Sequence, residues 1–191
     1  IVKTPFYTGL LVQQADADGT LPHGRAGLVT GFVRHALRRE VGNRHPLFMM
    51  DAELLTSADH AQLQQRPGNV YALPSGGPLI PKIVDLAFAM QAGGRGQDVV
   101  REVVTRADAC ALVDHPRADD IVDAGVALGI LVIKTREELD ATVVEVAFFH
   151  PLFREYFAAR KVAKNLDAVR MATEWRAEAM SERLDATLAR A

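Results

Sequence analysis

The sequence predicts a mainly α-helical chain carrying one small β-hairpin, and three observations predict it. Apolar residues recur at helical spacing, most clearly as the pairs Leu28/Val29, Phe32/Val33 and Ala36/Leu37. Helix breakers gather at Pro74-Ser75-Gly76-Gly77-Pro78, a candidate boundary between two units. Two β-type runs, residues 130–134 and 143–149, stand late in the chain on either side of a polar stretch. Hydrophobic types make up 49% of the 191 residues, enough for a packed core and against wholesale disorder.

Thr4-Pro5 reads as an N-cap followed by proline at the first helical position, where its missing N–H costs nothing. That helix is expected over residues 4–17, with Phe6, Leu10 and Leu11 on one face. A turn-rich link leads to a second helix over 25–42, antiparallel to the first, with Arg34, Arg38 and Arg39 off its apolar stripe. A third is expected over 51–65, ended by Pro67-Gly68-Asn69. Beyond the breaker cluster, a helix over 79–91 turns Ile80, Ile83, Leu86, Ala87 and Met90 inward and tolerates Pro81 in its first turn. Residues 99–104 read equally as a short strand or a helix turn.

Two short helices follow over 106–113 and 117–128, and the two β-type runs come next. Helix, two short helices, then a hairpin is the element order of a winged helix. His150-Pro151 closes the second run and opens a helix with Leu152, Phe153, Tyr156, Phe157 and Ala159 inside. A last helix is expected over 166–188. The expected organisation is a helical domain over 1–73, a winged-helix domain over 74–150 and C-terminal helices over 151–191. The fold class is thus mainly α, a helical bundle followed by a winged helix and C-terminal helices. The opening Ile1-Val2-Lys3 lacks methionine and runs directly into a helix-start signal, which suggests a piece of a longer protein.

Composition excludes several functions. A formal charge of −2 gives no bulk attraction to nucleic acid or anionic lipid. The single cysteine, Cys110, rules out an internal disulfide and any multi-cysteine metal site, and its apolar neighbours read it as an inert core thiol. The longest apolar run, residues 126–133, is far short of the roughly 20 residues that span a bilayer. With no secretory signal visible, a cytoplasmic setting is expected. Gly93-Gly94-Arg95-Gly96 lacks the lysine of a phosphate loop. Ser57, Asp59 and His60 are too close along one helix to line up as a nucleophile, orienter and base. His23, His35, His45, His60 and His115 lie on separate elements, so no metal site is expected.

The helix over 117–128 carries Asp119, Asp120 and Asp123, and no basic residue falls between Arg117 and Lys134, so DNA reading by it is not expected. His150 differs from the other histidines. It stands where a strand meets a helix, directly before Pro151, and there an imidazole and helical N–H groups can face one anion. The bland reading of the same residue is a cap on that helix.

Residues 148–160, Phe-Phe-His-Pro-Leu-Phe-Arg-Glu-Tyr-Phe-Ala-Ala-Arg, resemble the F-x-H-x-x-F-x-E-Y-F-A-A segment that closes the winged helix of NACHT-type STAND NTPases. These are signal-transducing ATPases that include animal NLR receptors and bacterial defence proteins. Residues 4–11 are similar to the N-P-hydrophobic…L-L start of their first helical domain, and 24–40 to that domain's next helix. The resemblance spans about residues 1–163. It implies a regulatory segment that closes over ADP or ATP held by a separate NTPase core, with Pro5 touching the adenine and His150 the β-phosphate. ATP exchange then releases the winged helix, and the opened protein forms a homo-oligomer.

Thr4 replaces the family's asparagine, and Pro151 after the histidine bears on the direction of its ring. No Walker segment is present, so no catalytic centre is expected in this chain. Two other readings remain at this stage: a winged-helix transcription regulator, and a helical scaffold that docks a partner through residues 166–188.

Overall fold

In the computed structural model, which describes residues 8–9, 24–65, 69, 71–92, 100–138 and 141–165, the first stretch to be read clearly is helix α1, Gly24–Gly42. Its apolar stripe is buried as the spacing predicts, with Val29, Val33, Ala36 and Leu37 sealed from solvent. The helices expected over 4–17 and 166–188 lie outside the described residues, apart from helical Thr8 and Gly9.

The third helix begins later than expected. Two short 3-10 turns, Pro46–Phe48 and Met50–Ala52, occupy the stretch around residue 51, and Glu53 then turns the chain at φ 55°. Helix α2 is Ser57–Gln64. Its start is set by a capping box: Thr56 Oγ1 accepts the Asp59 N–H at 3.2 Å, and Asp59 Oδ2 accepts the Thr56 N–H at 2.9 Å. The Thr-x-x-Asp signal, rather than residue 51, marks where the helix starts.

Helices α3, Leu79–Gln91, α4, Arg106–Val113, and α5, Ala118–Ala127, lie close to the predicted spans. The ambiguous segment before α4 is a strand, β1, Val103–Thr105. Strands β2, Leu131–Glu138, and β3, Ala141–Phe148, are longer than the runs read from sequence. The polar residues Thr135 to Glu137, exposed on both faces of the hairpin, stay in the ladder by pairing with Val144, Val143 and Thr142. The sheet order is β1-β3-β2, antiparallel throughout, with Val104 opposite Val146 and Leu131 opposite Phe148. Helix α6, Pro151–Asn165, follows β3 after two residues.

The fold is therefore mostly helical with a small three-stranded antiparallel sheet. One cluster of buried side chains joins Val33, Phe48 and Leu54 to Ile83, Met90, Ile121, Val146, Phe153 and Phe157, so apolar packing runs unbroken past residue 74. Helix α1 meets α6 through the rings of Phe32 and Phe153, 5.2 Å between centroids, and through Thr30 and Tyr156, whose hydroxyls lie 2.6 Å apart.

Arg34, off the apolar stripe in the sequence, is nonetheless buried. Its guanidinium donates to the carbonyls of Ala72 and Asn69, while Arg38 reaches those of Leu63 and Gln65 and Arg160 that of Tyr71. Such bonds let a charge leave water without an unmet donor. No helix among the described residues is long and apolar enough to cross a membrane.

The turn before α3 has no room for side chains. A Cβ on Gly77 would collide with the Leu54 carbonyl, which already accepts the Leu79 N–H at 3.2 Å. Gly77→Ala should lower the unfolding free energy by about 1–3 kcal/mol in urea titrations. Gly42→Ala, where the new Cβ meets nothing within 4 Å, should leave it unchanged or raise it by up to about 1 kcal/mol.

Candidate functional site

Strand β3 ends at Phe148 and α6 begins at Pro151, so Phe149 and His150 make the whole connection. Phe149 donates its N–H to the Ile130 carbonyl at 2.9 Å, which ties the connection to the sheet. Pro151 has no N–H to satisfy at the first helical position. The next donor, the Leu152 N–H, is accepted by His150 Nδ1 at 3.1 Å, and the Phe153 N–H by the His150 carbonyl at 3.0 Å. His150 is thus a side-chain cap, half-buried at the positive end of α6.

The cap fixes the chemistry of the ring. A nitrogen that accepts a hydrogen bond carries no proton, so the neutral imidazole holds its proton on Nε2. That nitrogen is then a donor, the form suited to an oxyanion at a helix start. The other residue expected at this site, Pro5, lies outside the described residues.

The same device occurs twice more. His45 Nδ1 accepts the Leu47 N–H at 3.3 Å before Pro46, and His115 Nδ1 accepts the Arg117 N–H at 3.1 Å before Pro116. Three His-Pro pairs in the sequence were the available signal for this local motif. Capping alone therefore does not single out His150; its place between the central strand and α6 does.

Other groups weighed from the sequence have structural partners. The Asp59 carboxylate, 2% exposed, accepts from the Thr56 N–H and hydroxyl and from the N–H groups of Gly76 and Gly77 at 2.7–2.9 Å. It is turned away from any role beside Ser57 and His60. Burial alone would raise this carboxyl, but the bonds from Thr56, Gly76 and Gly77 outweigh it and hold the group below its ordinary value of 3.8. The sequence reading missed Asp59 as the anchor of the 74–78 turn, although its place in a capping box was legible.

The acidic face of α5 is partly neutralised. Arg106 reaches Asp123 at 2.7 Å and Asp119 at 3.0 Å, and Arg117 reaches Asp120 at 2.7 Å. Cys110 is half-buried, with Sγ 3.5 Å from Asp119; burial first and that carboxylate next push its thiol up from 9.0. Among the described residues no three His, Cys, Asp or Glu groups converge on a metal-sized gap. An open cleft of about 600 Å³ lies between the 74–78 turn and the α4–α5 turn, lined by Glu53, Ser75, His115 and Arg117 with Pro78, Pro81 and Pro116.

No protein-family model, no curated protein and no solved structure matches this chain.

Asp59→Ala leaves the Gly77 and Thr56 amides without their acceptor and should cost about 2–5 kcal/mol of stability, read from chemical denaturation. Because the folded carboxyl lies below 3.8, its contribution is fully present above that pH and is lost as the pH falls through the folded value. The wild type should therefore lose stability on acidification below about pH 4, and Asp59→Asn should lack that part of the loss.

Proposed function

We propose that this chain is the helical-domain and winged-helix region of a NACHT-like STAND ATPase, a regulatory segment that closes over ADP or ATP held mainly by a separate NTPase core. In this reading α3, β1, α4, α5, β2 and β3 form the winged helix. Its support is the order helix, strand, helix, helix, strand, strand with β1 beside β3, the pairing that folds such a hairpin back onto the first strand. The observation that carries the functional part is His150 at the β3–α6 junction, with Nδ1 held by the Leu152 amide and the ring proton therefore on Nε2.

A charge-assisted hydrogen bond from that group to a β-phosphate is worth roughly 1.5–3 kcal/mol. Such a bond biases a two-state equilibrium by about 10- to 150-fold, which matters for a switch poised within a few kcal/mol. Packing of α1 against α6 supplies the remainder of the closed state. Exchange of ADP for ATP would release the winged helix and let the protein form a homo-oligomer, in signalling or defence. A cytoplasmic setting and the contact of Pro5 with adenine belong to the same proposal.

A DNA-reading winged helix is the poorer account. Arg106 and Arg117, the basic residues of the α4–α5 face, are paired with Asp119, Asp120 and Asp123, and Asp114 lies close by. No surplus of positive charge remains there to meet a phosphate backbone.

In the parent ATPase, His150→Ala should speed ADP release by about 10- to 150-fold and raise basal signalling. An unchanged ADP off-rate removes His150 from the nucleotide site. Salt-dependent binding of duplex DNA by the chain would favour the regulator reading instead.

A further inference from the structure

The open cleft of about 600 Å³ between the 74–78 turn and the α4–α5 turn has walls that the fold holds still. On one side, the Asp59 carboxylate holds the amides of Gly76 and Gly77 at 2.9 and 2.7 Å. Glu53 belongs to that side, because the carbonyl of its neighbour Leu54 accepts the Leu79 N–H at 3.2 Å. On the other side, Lys82 Nζ donates to the Asp114 carbonyl at 3.1 Å and ties the α4–α5 turn to α3. The His115 carbonyl accepts the Ala118 N–H at 3.0 Å where α5 begins. Walls formed in advance spare a ligand the cost of ordering them.

Polar groups elsewhere on these elements are paired, Arg106 with Asp119 and Asp123, and Lys82 with Asp85 at 3.7 Å. Those lining the cleft are less committed. The exposed Glu53 carboxylate has no partner among the described residues. His115 Nδ1 accepts the Arg117 N–H at 3.1 Å, so the neutral ring carries its proton on Nε2. That nitrogen has no partner among the described residues. Arg117 gives its Nε to Asp120 at 2.7 Å, which leaves both terminal nitrogens uncommitted among the described residues. The rings of Pro78, Pro81 and Pro116 add apolar surface to the lining.

The cleft therefore presents an anion on one side and donors with a cation on the other. A ligand of one charge would strip water from the opposite pole without replacing it, whereas a zwitterion meets both. The volume lies within the roughly 300–1,000 Å³ of small-molecule sites. An extended dipeptide, with termini about 7 Å apart, is of a size to reach from one pole to the other.

We propose that this cleft binds a small zwitterion of the dipeptide class, its ammonium on Glu53 and its carboxylate on His115 Nε2 and the terminal nitrogens of Arg117. Its side chains lie against the prolines. None of these residues belongs to the β3–α6 connection, so the site does not depend on the role of His150.

The test is a titration of the ¹⁵N-labelled full chain with glycyl-leucine, following the amides of Gly76, Gly77 and Arg117, with that of Leu152 at the β3–α6 junction as control. The cleft amides are expected to shift along one saturating curve while Leu152 stays fixed. N-acetylglycyl-leucine lacks the ammonium and glycyl-leucinamide the carboxylate, and each should bind about 5-fold more weakly. Glu53→Gln should weaken glycyl-leucine by the same factor and leave the acetylated form unchanged. Arg117→Gln should weaken glycyl-leucine and leave the amide form unchanged. Should Arg117→Gln fail to fold, glycyl-leucinamide on the wild type reads the carboxylate contact by itself.

Cleft amides that do not saturate overturn the site, and so does a Leu152 shift that matches theirs. Blocked dipeptides that bind as tightly as the free one overturn the zwitterion. A Glu53→Gln variant that loses glycyl-leucine and its acetylated form equally overturns the contact of Glu53 with the ammonium.

Discussion

The structure turns on a two-residue constraint between β3 and α6. Strand β3 is the middle of the sheet and is paired on both sides, while α6 carries Phe153 and Phe157 into the common core. Only Phe149 and His150 lie between them. Each residue added to a helix turns it by about 100°, so the point at which α6 starts decides which of its faces meets α3 and α1. The Leu152 N–H bonded to His150 Nδ1 sets that point. A start one residue later would swing the two aromatic rings out of phase with the core. The same bond leaves the ring proton on Nε2, so the element that fixes the packing also fixes the chemistry of the candidate site.

Polar groups inside this fold follow a consistent pattern in which backbone atoms serve as partners of buried charge. Arg34 and Arg38 from α1 and Arg160 from α6 hold carbonyls between residues 63 and 72. Asp59 does the converse with amides of the 74–78 turn. These bonds tie the chain around residues 63–78 to the helices, and they account for charges that would otherwise be too costly to bury. Arg154 follows the same pattern with neutral partners of its own, the Gln91 side chain and the Arg101 carbonyl.

Much of this was legible in the sequence where a single local signal dominates. The stripe of α1, the breakers before α3, and His150-Pro151 at the start of α6 all read directly. The strand β1 did not, because three residues that pair only with a distant strand carry no periodicity of their own. The true start of α2 was legible in Thr56 and Asp59, whereas Leu54 and Leu55, within the expected span, are buried outside any helix. The length of the β2–β3 hairpin was obscured because Thr135 to Glu137 look like loop and act as strand. For the site, His150 could be picked out by its place in the chain, at the junction of a strand and a helix before Pro151.

The most direct test of the account is the protonation pattern of the His150 ring, read by long-range ¹H–¹⁵N NMR on the intact chain at a pH where the imidazole is neutral. The account predicts a proton on Nε2, an unprotonated Nδ1, and a Leu152 amide protected from exchange. A proton on Nδ1, or a Leu152 amide that exchanges as freely as an unpaired one, contradicts it.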